Sequence, residues 1–262
     1  MIEIALSLAI IGFALIAIIG ILPAGMSVQK DNREETIVNL DSDLLLQAIR
    51  TGTAMDDLTN YVVDIQLISQ EYDTPSIRHG GPIVFTFTLT NPPFSRALTN
   101  SHIIGLLSTP EYTPPIYGRA FASNYVIADF RAISGPAVDR GTNSAARDFA
   151  FAYRVIPQIV PFGASFDFNS TNYNQTGLTP ADQLARLNNY NFARDLQTNL
   201  YDVRLRFQWP LLPNGTVGVG RQTYRTLASG QMTRYTNVLF GVWSYFIQPQ
   251  LFSTNAAPAR LP

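Results

Sequence analysis

The pattern of hydrophobic and polar positions divides the chain sharply near residue 30. Residues 4–29 carry no charged side chain, and within residues 4–22 Ser7 is the only polar one. A run of about 20 such residues is enough to cross the hydrocarbon core of a bilayer as a helix. At Asp31 the character changes. Asp31-Asn32-Arg33-Glu34-Glu35 is a polar stretch whose acids suit the positive end of a helix dipole. Ile37, Leu40, Leu44, Leu45 and Ile49 then recur with helical spacing, so one face is expected to pack on a folded head. Gly52 is expected to end this helix. Thr53 with Asp56 reads as a capping box that opens a short second helix through Leu58.

Beyond residue 60 the period shortens. Segments 61–68, 83–89, 121–133, 149–159, 201–209, 222–227 and 238–247 are rich in β-branched and aromatic residues and predict strands. Residues 101–107 and 178–196 predict helices, the second opened by Thr179-Pro180. Leu212-Pro213-Asn214-Gly215 predicts a tight hairpin. The expected fold is α+β: a long N-terminal α-helix, apolar and then amphipathic, with a β-sheet-rich globular head. Its parts are residues 1–29 (apolar helix), 30–60 (amphipathic, on the head), 61–252 (head) and 253–262 (a Pro- and Ala-rich arm or tail).

Inside the apolar run lie residues that weaken a helix: Gly12, Gly20, Pro23 and Gly25. Proline lacks the donor for the carbonyl four residues earlier and crowds it, while glycine adds backbone freedom. Gly12 reads equally well as a close-packing residue of a membrane helix. The cluster at 20–25 predicts a break near Pro23 in an assembled state. Three readings of the run compete: an uncleaved secretory signal, a plain membrane anchor and a filament helix. No Lys or Arg precedes the run, as a signal would require. A plain anchor explains the length of the run but not the lone acid Glu3 at its head; a filament helix explains both.

Met1-Ile2-Glu3-Ile4, Gly12 nine residues after Glu3, and Gly20-Ile21-Leu22-Pro23-Ala24-Gly25 together resemble the N-terminal region of type IV pilins and pseudopilins, most of all the verrucomicrobial and planctomycete pilin-like type. The likeness covers roughly the first 50 residues well and the head only in general plan. Glu3 sits two positions earlier than the glutamate of those proteins, and the stretch before their cleavage site has no counterpart here. The resemblance implies a structural subunit held in the inner membrane and then packed into an extracellular filament with copies of itself. It also implies a prepilin peptidase and a pilus assembly machinery as partners, and pairing of Glu3 with the Met1 amine of a neighbouring subunit to set register. A carboxylate among apolar helices is costly unless paired, which gives that pairing its physical sense. The alternative is a minor pseudopilin or a membrane-tethered binding module of a secretion or adhesion system.

Composition narrows the rest. Charged residues are only 14% of the chain and the net charge is −1, without the basic stripe that a nucleic-acid partner needs. There is no cysteine, which excludes disulfides and thiolate chemistry. His79 reads as a turn residue and His102 as a surface or half-buried one, and neither belongs to a zinc or catalytic motif. Asp41-Ser42-Asp43 and Asp56-Asp57 lack the loop pattern of a calcium site and read as solvated helix faces. No enzyme, metal or cofactor is expected. Asn169, Asn174 and Asn214 each head an Asn-x-Ser/Thr triplet and are candidate glycosylation sites.

Overall fold

A computed structural model describes residues 2–74, 77–88, 98–113, 121–135, 150–162, 177–239 and 242–252. The chain is α+β, as its patterning predicts. Helix α1, Ile2–Thr51, is one continuous element of 50 residues, about 75 Å long at about 1.5 Å per residue. It does not restart at Asp31, and the i,i+4 pair Lys30–Glu34 (3.7 Å) spans the change from apolar to amphipathic sequence.

In this single chain the helix stays closed through residues 20–25, where a break is expected in the assembled state. Here Ile21 and Leu22 are exposed, and Gly20 and Gly25 face open space. Closure forgoes the one bond that Pro23 cannot donate, whereas unwinding would strip several backbone groups of partners and gain no contact.

Gly52 ends α1 in the left-handed region, with φ +63. Its backbone comes so close to Ile247 that an added Cβ would lie 2.3 Å from the Ile247 carbonyl oxygen, so only glycine fits there. The capping box expected at Thr53 and Asp56 does not form. Thr53 instead shares a hydrogen bond with the Thr51 hydroxyl. A 3-10 turn, Leu58–Asn60, follows Asp57 at φ 58, without a side-chain cap.

The head is built on an antiparallel sheet. Its strands are β1 (Val62–Thr74), β2 (Ile77–Thr88), β3 (Tyr112–Thr113), β4 (Phe121–Arg131), β5 (Ala152–Pro161), β6 (Leu200–Leu211) and β7 (Val217–Ser229). They run in the order β2-β1-β4-β5-β6-β7, with β3 paired beside β4. A separate hairpin joins β8 (Gln231–Leu239) and β9 (Val242–Gln248). Sequence patterning anticipates β9 but not β8. The β8 segment Gln231-Met232-Thr233-Arg234-Tyr235 carries a weak strand signal of its own and forms by pairing with β9, Met232 opposite Ile247.

Two helices complete the head. Helix α2, Asn100–Leu107, starts at a capping box between Thr99 and His102. Helix α3, Pro180–Asn199, starts with Pro180 in its first turn and the Thr179 hydroxyl accepting from the Asp182 N–H. The core lies between the sheet, α2, β9 and the C-terminal part of α1, whose Val38, Leu45, Ala48 and Ile49 are buried against it. Leu40, expected on that face, is 51% exposed. The inward face follows Val38, Asp41, Leu45 and Ile49, at spacings of three and four, and leaves Leu40 outside it.

Candidate assembly stem

No described side chain between residues 2 and 33 is buried, whereas Ile37 and Val38 are 3% and 0% exposed. α1 therefore has two halves: a free stem, and a rod sealed into the head. The stem exposes Phe13, Ile16 and Ile21 at 77%, 73% and 71%. A contiguous apolar surface this large is foreign to soluble monomers and marks a place for lipid or for other protein. By length and composition the helix can cross a membrane.

The polar features of the stem are few. Ser7 Oγ donates to the Glu3 carbonyl oxygen at 2.8 Å, so its hydroxyl is satisfied within the helix. Glu3 lies in the first turn, exposed, and has no ion-pair partner among the described residues. Met1 lies outside the described residues, so the pairing expected between Glu3 and a Met1 amine has no geometry here. At Gly12, Gly20 and Gly25 an added Cβ would meet nothing within 4 Å. No contact within the chain requires glycine at these places. Pro23 sits within the continuous helix.

The sealed half is held by polar anchors as well as by packing. Asp41 is fully buried. Its carboxylate accepts hydrogen bonds from the Ile133 and Ser134 N–H groups, at 2.9 and 2.7 Å, and from the Tyr153 hydroxyl at 2.8 Å. Burial pushes the Asp41 carboxyl above the ordinary aspartate range, against the lowering effect of these bonds. Burial and the neighbouring Asp41 in turn push the Tyr153 hydroxyl up. Tyr153 packs against Phe207, and Phe207 against Tyr224, with ring centroids 5.3 and 5.4 Å apart. The chain of rings returns to α1, where the Tyr224 hydroxyl donates to Asn39 Oδ1.

The sequence reading places Asp41 on a solvated face, and the structure overturns that. Asp41 lies three residues after Val38 and four before Leu45, on the core face of the helix, and that spacing is the signal by which it could be found. Asp43 is exposed, so the Asp41-Ser42-Asp43 acids do not converge.

The histidines also differ from expectation. His79 lies in β2 rather than in a turn, and its Nδ1 is 3.0 Å from Asp73 Oδ2. Across the β1–β2 ladder Glu71 faces His79, a cross-strand neighbourhood that linear sequence does not display. His102, half-buried, caps α2. Asn214 is exposed in the β6–β7 hairpin, where its Oδ1 accepts from the Thr216 N–H and hydroxyl at 3.0 and 2.6 Å. Asn169 and Asn174 lie outside the described residues. No family model, curated protein or solved structure matches the chain.

Proposed function

We propose that this chain is a structural subunit of an extracellular filament of the type IV pilus kind, held first in the inner membrane by its stem and then drawn into a helical polymer of its own copies. The observation that carries this reading is the stem: an apolar helix that the head leaves wholly uncovered. Lipid covers such a surface before assembly, and neighbouring stems cover it afterwards. Glycine positions with open space around them let neighbouring helices approach closely. Glu3, at the head of the apolar run, is placed to pair with the N-terminal amine of a neighbour, a contact worth most where water is excluded. In the packed state neighbours can also shield opened backbone, so residues 12–26 are where the stem gives up regular helix and lets the head turn. A prepilin peptidase and an assembly machinery are the partners this route requires.

A second reading has its own support. The same apolar length suits a plain membrane anchor, and the chain would then be a minor pseudopilin or a tethered binding module that polymerises little. Mass spectrometry of sheared surface fibres separates the two. The filament reading expects this chain to dominate the fibres and Glu3→Ala to cut fibre yield about tenfold or more, with the head still folded. Fibres lacking the chain, or normal yield from the variant, would overturn the subunit role or the register role respectively.

A further inference from the structure

The sheet face turned away from α1 holds a cleft that the stem does not explain. The β4–β5 ladder closes only from Ala128 opposite Val155 to Arg131 opposite Ala152. The bidentate pair of Arg154 with Asp129, at 2.7 and 2.8 Å, lies at this closed end. Beyond it the strands part. Pro157 has no N–H to offer a neighbouring strand, so the ladder cannot continue through it on that side. The stretch ending in β3 wedges the gap open: the Glu111 N–H donates to the Ile159 carbonyl oxygen at 2.9 Å, and the Asn124 N–H to the Glu111 carbonyl oxygen at 2.7 Å.

The resulting cleft has a volume of about 440 Å³, within the range typical of small-ligand sites. Its floor includes Ile156, and its rim includes Tyr125, 44% exposed. Arg206 stands directly opposite Ile156 in the β5–β6 register. Arg206 is exposed and has no ion-pair partner among the described residues, whereas the adjacent Arg204 is tied to Asp202 at 2.5 Å. Glu111 lines the same cleft, and its Oε2 accepts from Gln158 Nε2 at 2.8 Å.

This set of groups selects a chemistry. Arg206 offers a fork of donors to one carboxylate. Glu111 is an acceptor with lone pairs to spare; it repels a compact anion that concentrates more than one charge on a single group, such as phosphate, and favours a ligand whose single carboxylates are spaced among hydroxyl donors. The half-apolar lining suits a ring with a carbon face. We propose that the cleft binds a sugar acid, a uronate residue of an acidic polysaccharide, with its carboxylate on Arg206, its hydroxyls on Glu111 and Gln158, and its ring against Ile156 and Tyr125. The site is independent of whether the chain polymerises, because it lies on the opposite sheet face from α1.

The test is titration calorimetry of the full chain in detergent micelles with a short oligogalacturonate, its neutral galactose counterpart, inorganic phosphate and glutamate. Saturable oligogalacturonate binding is expected, with the neutral sugar weaker by about tenfold or more and Arg206→Gln lowering uronate affinity by a similar factor. Glu111→Gln should weaken the uronate and strengthen phosphate. Tyr125→Ala, a second exposed position, should weaken both saccharides and carries the test if the arginine variant does not fold. Absence of saturable uronate binding, equal or tighter binding of phosphate or glutamate to the native chain, or uronate affinity unchanged in the folded variants would overturn the proposal.

Discussion

Asp41 ties the sealed half of α1 to the head through three hydrogen bonds to a buried carboxylate. Truncating it would strand two half-buried N–H groups and a buried phenol hydroxyl. Asp41→Ala should therefore lower head stability by about 3 kcal/mol or more, and Asp41→Asn, which keeps one acceptor oxygen, by less. Urea unfolding followed by circular dichroism checks this, and equal stability of the alanine variant would remove Asp41 as an anchor. Asp202 gives a pH signature instead. Burial pushes its carboxyl up, but hydrogen bonds and charge from Arg225 and Arg204 outweigh that and hold it below the ordinary aspartate value. A depressed folded value contributes stability above the unfolded aspartate range, and this is lost as pH falls through the folded value. Between about pH 5 and about pH 2 the native head should lose stability more steeply than Asp202→Asn. Identical slopes in thermal melts would show the ion pairs to be energetically idle, as exposed pairs often are.

The elements differ in how far the sequence announces them. The stem is legible because absence of charge over residues 4–29 is a local property. So are β1, β5 and β6, whose runs of β-branched and aromatic residues need no partner to be recognised, and α3, with Thr179-Pro180 at its start. What fails is non-local. β8 exists through its pairing with β9, the capping box at Thr53 gives way to a 3-10 turn after Asp57, and the partners of Asp41, whose inward side its helical spacing gives, come from residues near 133 and 153. The β4–β5 cleft is invisible in sequence because it depends on a two-residue strand lodged between distant segments. The halves of α1 give a test at this scale. A fragment beginning at Asp31 leaves out the uncovered stem and keeps every buried residue of the head. It should be a soluble monomer by light scattering, with an unfolding midpoint close to that of the full chain. Filaments formed by this fragment would show that the stem is not the element that polymerises.

At the scale of the whole molecule, head and stem answer different solvents. The head completes its own core around Tyr153, Phe130 and Phe207 and seals half of α1 into it. The stem adds nothing to that core: none of its described side chains is buried, and its glycines face open space. A molecule divided in this way leaves a surface for lipid or for other protein; under the proposed function, copies of itself cover that surface in the working state. Helical reconstruction of sheared fibres by electron microscopy tests this most directly. Under the proposed function an axial bundle of stems from many copies is expected, residues 4–28 packed against one another, with the sheet heads outside and α1 opened somewhere within residues 12–26. Fibres built on head-to-head contacts, with the stems absent from the axis, would contradict it.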